Sequence, residues 1–249
     1  MALVRCPEHG IEYEDERRLP SGLVVGRVRC PECDKELDAR LEREMKDEER
    51  RNEENRVIWF RENSNIEPEY QSSSFDNFIT ESEELKKAVE TVKKLLAGEI
   101  QKIVMIGANG TGKTHLACAA LNQLQKGKIM SMYEISATIR GTYTNNSTVT
   151  ELQVVDGLAR TQLLVIDEMG RTKGSDSEMN WLSYIIDKRH VRTLPTIFIS
   201  NKHTRKMCPK HGCPDCLENF IGEDIMSRIN EGGRIVKMGG EDFRKKKSR

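Results

Sequence analysis

Ile103-Val104-Met105-Ile106-Gly107-Ala108-Asn109-Gly110-Thr111-Gly112-Lys113-Thr114 is the stretch that decides the fold. Residues 107–114 satisfy G-x-x-x-x-G-K-[ST] at every fixed position. Four apolar residues with strand character precede the pattern, and a helical stretch, Thr114–Leu124, follows it. Glycines let such a loop wrap so that its N–H groups face inward, and the helix N-terminus adds positive partial charge. The segment is therefore built for a polyphosphate, and the expected ligand is ATP with Mg²⁺. Gly107, Ala108, Asn109, Gly110, Thr111, Gly112, Lys113 and Thr114 form the expected nucleotide-binding loop. Lys113 is expected to bridge the β- and γ-phosphates, and the Thr114 hydroxyl to ligate Mg²⁺.

Downstream, Leu163-Leu164-Val165-Ile166-Asp167-Glu168 reads as a buried strand ending in two carboxylates. Asp167 suits Mg²⁺ held through water, and Glu168 suits a general base that polarises the attacking water. The next strand, Thr196-Ile197-Phe198-Ile199, delivers Ser200-Asn201 to the same sheet edge, where the Asn201 amide can orient water or γ-phosphate. From residue 81 strands and helices alternate, which predicts a parallel α/β sheet flanked by helices. Helices are expected at 81–97, after the loop to about 126, and at 135–143, 148–160, 178–190 and 217–230. Strands are expected at 102–106, 128–133, 162–167, 195–199 and 234–238.

Six of the seven cysteines fall in two clusters with histidine between them. Cys6-Pro7-Glu8-His9 and Cys30-Pro31-Glu32-Cys33 flank a short β pattern and offer four soft ligands, which suits a closed tetrahedral Zn²⁺ site in a small zinc-ribbon-like module at 1–33. Cys208-Pro209-Lys210-His211-Gly212-Cys213-Pro214-Asp215-Cys216 repeats the same words in compressed form. Cys208, His211, Cys213 and Cys216 could hold a second zinc, share ligands with another chain, or stay as thiols. Cys118, within an apolar helical stretch, reads as a core residue.

Residues 34–62 mix both charges without Gly or Pro and read as one solvated connecting helix. Near its end Val57-Ile58-Trp59-Phe60 needs a partner surface, on this chain or another. Residues 63–80 read as a linker, 81–240 as the nucleotide domain carrying the 208–216 insert, and 241–249 as a basic tail. The 249 residues carry zero formal net charge, so any nucleic-acid surface must be local. No apolar run approaches a membrane span and no secretory leader is visible, which leads to the expectation of a cytoplasmic protein with no membrane contact.

With these motifs in place, the chain resembles the AAA+ ATPases of the DnaC type, the bacterial and phage helicase loaders of the DnaC/IstB-like family. The resemblance covers roughly residues 56–238 and includes Phe75-Asp76-Asn77-Phe78, Ile186-Asp187-Lys188-Arg189, Ser200-Asn201 and Ile221-Gly222-Glu223-Asp224-Ile225-Met226-Ser227-Arg228. It implies an AAA+ core without the C-terminal helical lid, and the chain's short run after Arg228 fits that expectation. It also implies that Arg228 is an arginine finger acting on a neighbouring subunit, so that the protein self-associates through its ATP site. Arg140 and Tyr143 resemble the family's basic and aromatic contacts to single-stranded DNA. Ser175 fits a further DNA-contacting position, while Ser177 stands where the family has an aromatic residue. The implied activity is ATP hydrolysis coupled to loading a hexameric replicative helicase onto single-stranded DNA. Two alternatives are an IstB-type transposition helper on duplex DNA and a zinc-stapled nucleotide switch.

Overall fold

A computed structural model describes residues 3–14, 16–144, 146–171, 174–208, 210, 213–240 and 242–243. The chain divides into two compact units, Met1–Val57 and Ile58–Arg249.

The first unit holds two small antiparallel ribbons, β1 (Leu3–Arg5) with β2 (Glu12–Glu14) and β3 (Glu16–Arg18) with β4 (Val24–Arg27). They lead into α1 (Pro31–Asn63), which starts three residues before the expected connecting helix, inside the second Cys-Pro word. Proline is well placed there, because a first helical residue has no use for its N–H. Mixed-sign pairs such as Lys35–Glu32, Arg40–Glu44 and Arg50–Asp47 decorate α1, and Leu41 and Met45 stay exposed. Its buried residue is Phe60, at the end that belongs to the second unit. Ile58 and Trp59 remain exposed, so the apolar cluster there splits between the core and the surface.

The second unit is built on a five-stranded parallel sheet in the order β6-β7-β8-β5-β9. The strands are β5 (Lys102–Ile106), β6 (Lys128–Ser131), β7 (Leu164–Asp167), β8 (Thr196–Ser200) and β9 (Gly233–Lys237). Helices α2 (Glu83–Leu96), α3 (Lys113–Leu124), α4 (Met132–Gly141), α5 (Glu151–Arg160), α6 (Asp176–Val191), α7 (Glu218–Ile221) and α8 (Glu223–Asn230) complete it. Both sheet faces are apolar, as parallel strands covered by helices must be. Ile103 and Met105 join Val165, Ile197 and Ile199 in the layer under α2 and α3. Val104 and Ile106 join Leu164, Ile166 and Phe198 in the layer under α4, α5, α6 and α8. Cys118 lies in the first layer, where burial pushes its thiol up to about 12 and leaves it inert.

Three sequence expectations need correction. The single helix at 217–230 is two helices, because Gly222 adopts φ +85° and breaks the run into α7 and α8. Residues 63–80 are not a loose linker: Ser64, Ile66, Ser73 and Phe78 are buried, and the Asn122 amide on α3 donates to the Tyr70, Gln71 and Ser73 carbonyls. The helix expected at 135–143 runs instead from Met132 to Gly141 with Thr142 as its cap, so Tyr143 lies beyond it.

Arg189 is fully buried between α5 and β8. Its guanidinium donates to Thr196 Oγ1 and to the carbonyls of Leu158, Thr161, Gln162 and Pro195, tying the end of α5 to the segment leading into β7 and to the start of β8.

Candidate functional site

In a parallel sheet all strand C-termini lie at one edge, which brings the motifs together. Ile106 pairs with Ser200 in register, and Ile166 with Phe198, so β5, β7 and β8 deliver their following residues to one place. Thr114 Oγ1 donates to Asp167 Oδ2 at 2.9 Å, joining the first turn of α3 to the end of β7. Burial raises the Asp167 pKa above the usual carboxylate range. Backbone N–H of Glu168 and the Thr114 hydroxyl act in the opposite direction. A divalent cation between Thr114 and Asp167 would relieve that burial cost.

The loop is shaped as its glycines require. A Cβ on Gly107 would lie 2.1 Å from the Met238 carbonyl oxygen, and one on Gly112, which has φ +85°, would lie 2.9 Å from the Phe78 ring. Lys113 is buried, and its ammonium donates to the Gly107 and Ala108 carbonyls at 2.9 and 2.7 Å. The cationic group therefore already stands within the loop. These features fit a magnesium nucleotide. Beyond β9, the Phe243 N–H donates to the Gly110 carbonyl, so part of the expected tail lies on the loop. The remaining Arg244–Arg249 is outside the described residues.

Glu168 has φ +56° and forms a two-pronged ion pair with Arg171, both contacts 2.8 Å. Asn201 is exposed in the turn after β8. Ser200 shapes that turn, its hydroxyl donating to the Met169 carbonyl and accepting from the Lys202 N–H. Arg228 sits in the last turn of α8, paired with Asp187 at 3.3 Å and Glu231 at 3.6 Å. Its carbonyl accepts from Lys102 Nζ at 2.7 Å, and Lys102 begins β5 whereas the phosphate loop follows the end of β5.

A cavity of about 490 Å³ opens beside the strand ends, with Arg140, Glu168 and Arg171 in its lining. Tyr143 is exposed and its hydroxyl donates to Glu151. Ser175 caps α6: its hydroxyl accepts from the Glu178 N–H, and the Glu178 carboxylate accepts from the Ser175 N–H. Ser-x-x-Glu is a readable capping box, a signal that sequence reasoning passed over here.

The two cysteine clusters are both brought together. Cys6, His9, Cys30 and Cys33 present ligand atoms within 4.8 Å of one another. Tetrahedral zinc with Zn–S near 2.3 Å puts sulfurs about 3.8 Å apart. Cys6 and Cys33 sulfurs are 3.6 Å apart, and His9 Nδ1 lies 3.4 to 3.9 Å from the three sulfurs. His9 Nε2 faces the Glu36 carboxylate at 3.2 Å, the outer contact that commonly orients a metal-bound imidazole. The His9 backbone N–H lowers the Cys6 thiol to about 6, whereas Cys33, whose thiol is hydrogen-bonded to Cys6, is pushed up to about 12. In the second cluster Cys208, Cys213 and Cys216 are joined by His203, which sequence reasoning did not single out. His211 lies outside the described residues.

A parallel sheet, phosphate loop, strand-end carboxylates and threonine–aspartate contact define a P-loop nucleotide-binding protein of the AAA+ fold. The chain belongs to the IstB-like ATP binding protein family, whose model matches residues 32–249. It is 30% identical over 179 residues to the replicative helicase loader DnaC of Escherichia coli strain K12, covering 69% of each chain. Among solved structures, the DnaC helicase loader aligns with TM-score 0.58 at 20% identity, covering 70% of this chain and all of that one. DnaI aligns with TM-score 0.57 at 18% identity over 71% and 96% of the two chains. No helix among the described residues is long and apolar enough to cross a membrane.

Proposed function

We propose that the protein is a cytoplasmic ATPase that loads a hexameric replicative helicase onto single-stranded DNA, with each ATP site shared between neighbouring subunits. The observation that carries this reading is the position of Arg228. Its backbone is tied to the first residue of β5, while the phosphate loop follows the last. Four steps along a parallel strand separate those ends by roughly 13 Å at 3.3 Å per residue. Arg228, paired with Asp187 on that side, is poorly placed for its own nucleotide but available at the surface to another. A trans-supplied cation makes hydrolysis depend on assembly.

In this scheme Lys113 turns from the Gly107 and Ala108 carbonyls to the β- and γ-phosphates. Thr114 and Asp167 would hold Mg²⁺, which would supply neutralisation of developing phosphate charge. Glu168 must leave Arg171 to polarise the attacking water, and Asn201 orients that water. Arg140, Arg171 and Glu168 line one cavity, so a DNA phosphate drawn to the arginines would compete for Arg171 and release Glu168. This supports coupling between DNA and hydrolysis.

The experiment is ATP-dependent binding of a labelled oligonucleotide and a matched duplex. Single strands should bind better, because duplex bases are already stacked. Tyr143→Ala should cost about 1–3 kcal/mol per stacked base, roughly a five- to hundredfold loss of affinity. Membership of the IstB-like ATP binding protein family keeps a second reading, a transposition helper acting on duplex. Duplex preference untouched by Tyr143→Ala would select it.

Zinc in the Cys6, His9, Cys30 and Cys33 site gives the first unit its fold, since ribbons of three and four residues bury little apolar surface. Metal analysis of the Met1–Val57 unit should find one ion per chain, lost together with ordered structure on Cys30→Ser. A metal-free unit with unchanged circular dichroism would refute the role.

A further inference from the structure

We propose that His203, Cys208, Cys213 and Cys216 hold a second zinc ion, and that this ion clamps the turn after β8 to the start of α7. The four ligand atoms lie within 4.8 Å of one another, and His203 Nε2 is 3.4 Å from Cys213 Sγ. That separation is about the nitrogen–sulfur edge of a tetrahedron with Zn–N near 2.1 Å and Zn–S near 2.3 Å. Three thiolates and one imidazole form a soft, closed set that suits structural zinc over magnesium or calcium. Cys216 is buried, and the other three are half-buried, as a metal knot needs and a set of scattered surface thiols does not.

The spacing explains why histidine comes from upstream. Between Cys208 and Cys216, His211 and Cys213 are separated by a single residue, leaving little chain to carry two knuckles round one ion. His203 arrives from the end of β8, on the other side of the insert, and its backbone bridges to Cys216. The Leu217 N–H donates to the His203 carbonyl at 2.8 Å, and Leu217 itself is buried in the layer under α6 and α8. The Asn219 amide then ties back to the Cys213 and Pro214 carbonyls. The cluster is thus anchored at both ends to the sheet domain.

Position gives the ion its consequence. Asn201 stands two residues before His203, and α7 and α8 lead from Cys216 to Arg228. On the shared-site reading above, the clamp fixes the path between the water-orienting amide of one site and the arginine offered to the next. The ion itself stands independently of that reading.

The test is zinc analysis of the full-length chain and of two single variants. His203→Ala should lose one zinc per chain relative to the parent, and His211→Ala should lose none. Loss of zinc from His211→Ala with retention in His203→Ala would overturn the assignment, as would equal zinc in the parent and both variants. Because His203→Ala could unfold the insert, His203→Cys provides the second arm. Loaded with Co²⁺, it should keep the same metal content as the parent while its ligand-field bands shift, as one ligand changes from nitrogen to sulfur. Unchanged bands would exclude His203 from the metal. ATP binding by the isolated subunit should be the same for the parent and His203→Cys.

Discussion

Lys113→Ala is expected to abolish ATP binding, because it removes the cation that would meet the β- and γ-phosphates. The ammonium is buried within the loop and hydrogen-bonded to two of its carbonyls, so alanine removes a charge already held at the site. Glu168→Gln should behave differently. Glutamine keeps the size and one acceptor of the side chain but cannot take a proton, so binding should persist while turnover falls about 10²–10⁴-fold. Equilibrium binding of a fluorescent ATP analogue and steady-state phosphate release separate the two effects. Turnover at the parent rate in Glu168→Gln would remove the base assignment and leave its ion pair with Arg171 as the residue's role.

Arg228→Ala should leave ATP binding to the isolated subunit intact and lower hydrolysis by the assembly about 10³–10⁵-fold, the usual range for an arginine finger. Its pairing with Asp187 and Glu231 is on an exposed face, and losing such pairs has little effect on stability. The distinguishing experiment mixes Arg228→Ala with Lys113→Ala. One protein supplies an intact nucleotide loop and the other an intact finger, so some activity should return. If both fold and associate yet remain inactive together, the site is not shared.

Much of this arrangement was legible because its chemistry is local. The phosphate loop needs fixed residues at fixed offsets between a strand and a helix, and each is set by neighbouring backbone geometry. The five strands were readable as apolar runs because parallel strands bury both faces. What escaped reading depends on partners far along the chain. Residues 63–80 look like a linker until Asn122 on α3 is seen holding three of their carbonyls. His203 carries no cysteine beside it, so only the fold brings it to the insert. The pairing of Glu168 with Arg171, by contrast, follows an i, i+3 spacing that was open to inspection. Gly222 was also visible, but whether a glycine breaks a helix or rides within it is decided by packing.

The role of the first unit also separates into readable and unreadable parts. Ligand words at residues 6–9 and 30–33 mark a candidate metal site, and the charged sequence marks a solvated α1. Ile58 and Trp59 leave apolar surface exposed near the end of α1.

Helicase transfer tests the central claim most directly. A host replicative helicase, closed as a ring, would be incubated with circular single-stranded DNA, ATP and this protein, and the helicase retained on the isolated circles would be counted. Retention should require the protein and ATP, and should fall to background with Lys113→Ala. Equal retention without the protein, or binding of the protein to duplex circles with no helicase transferred, would contradict the loader assignment.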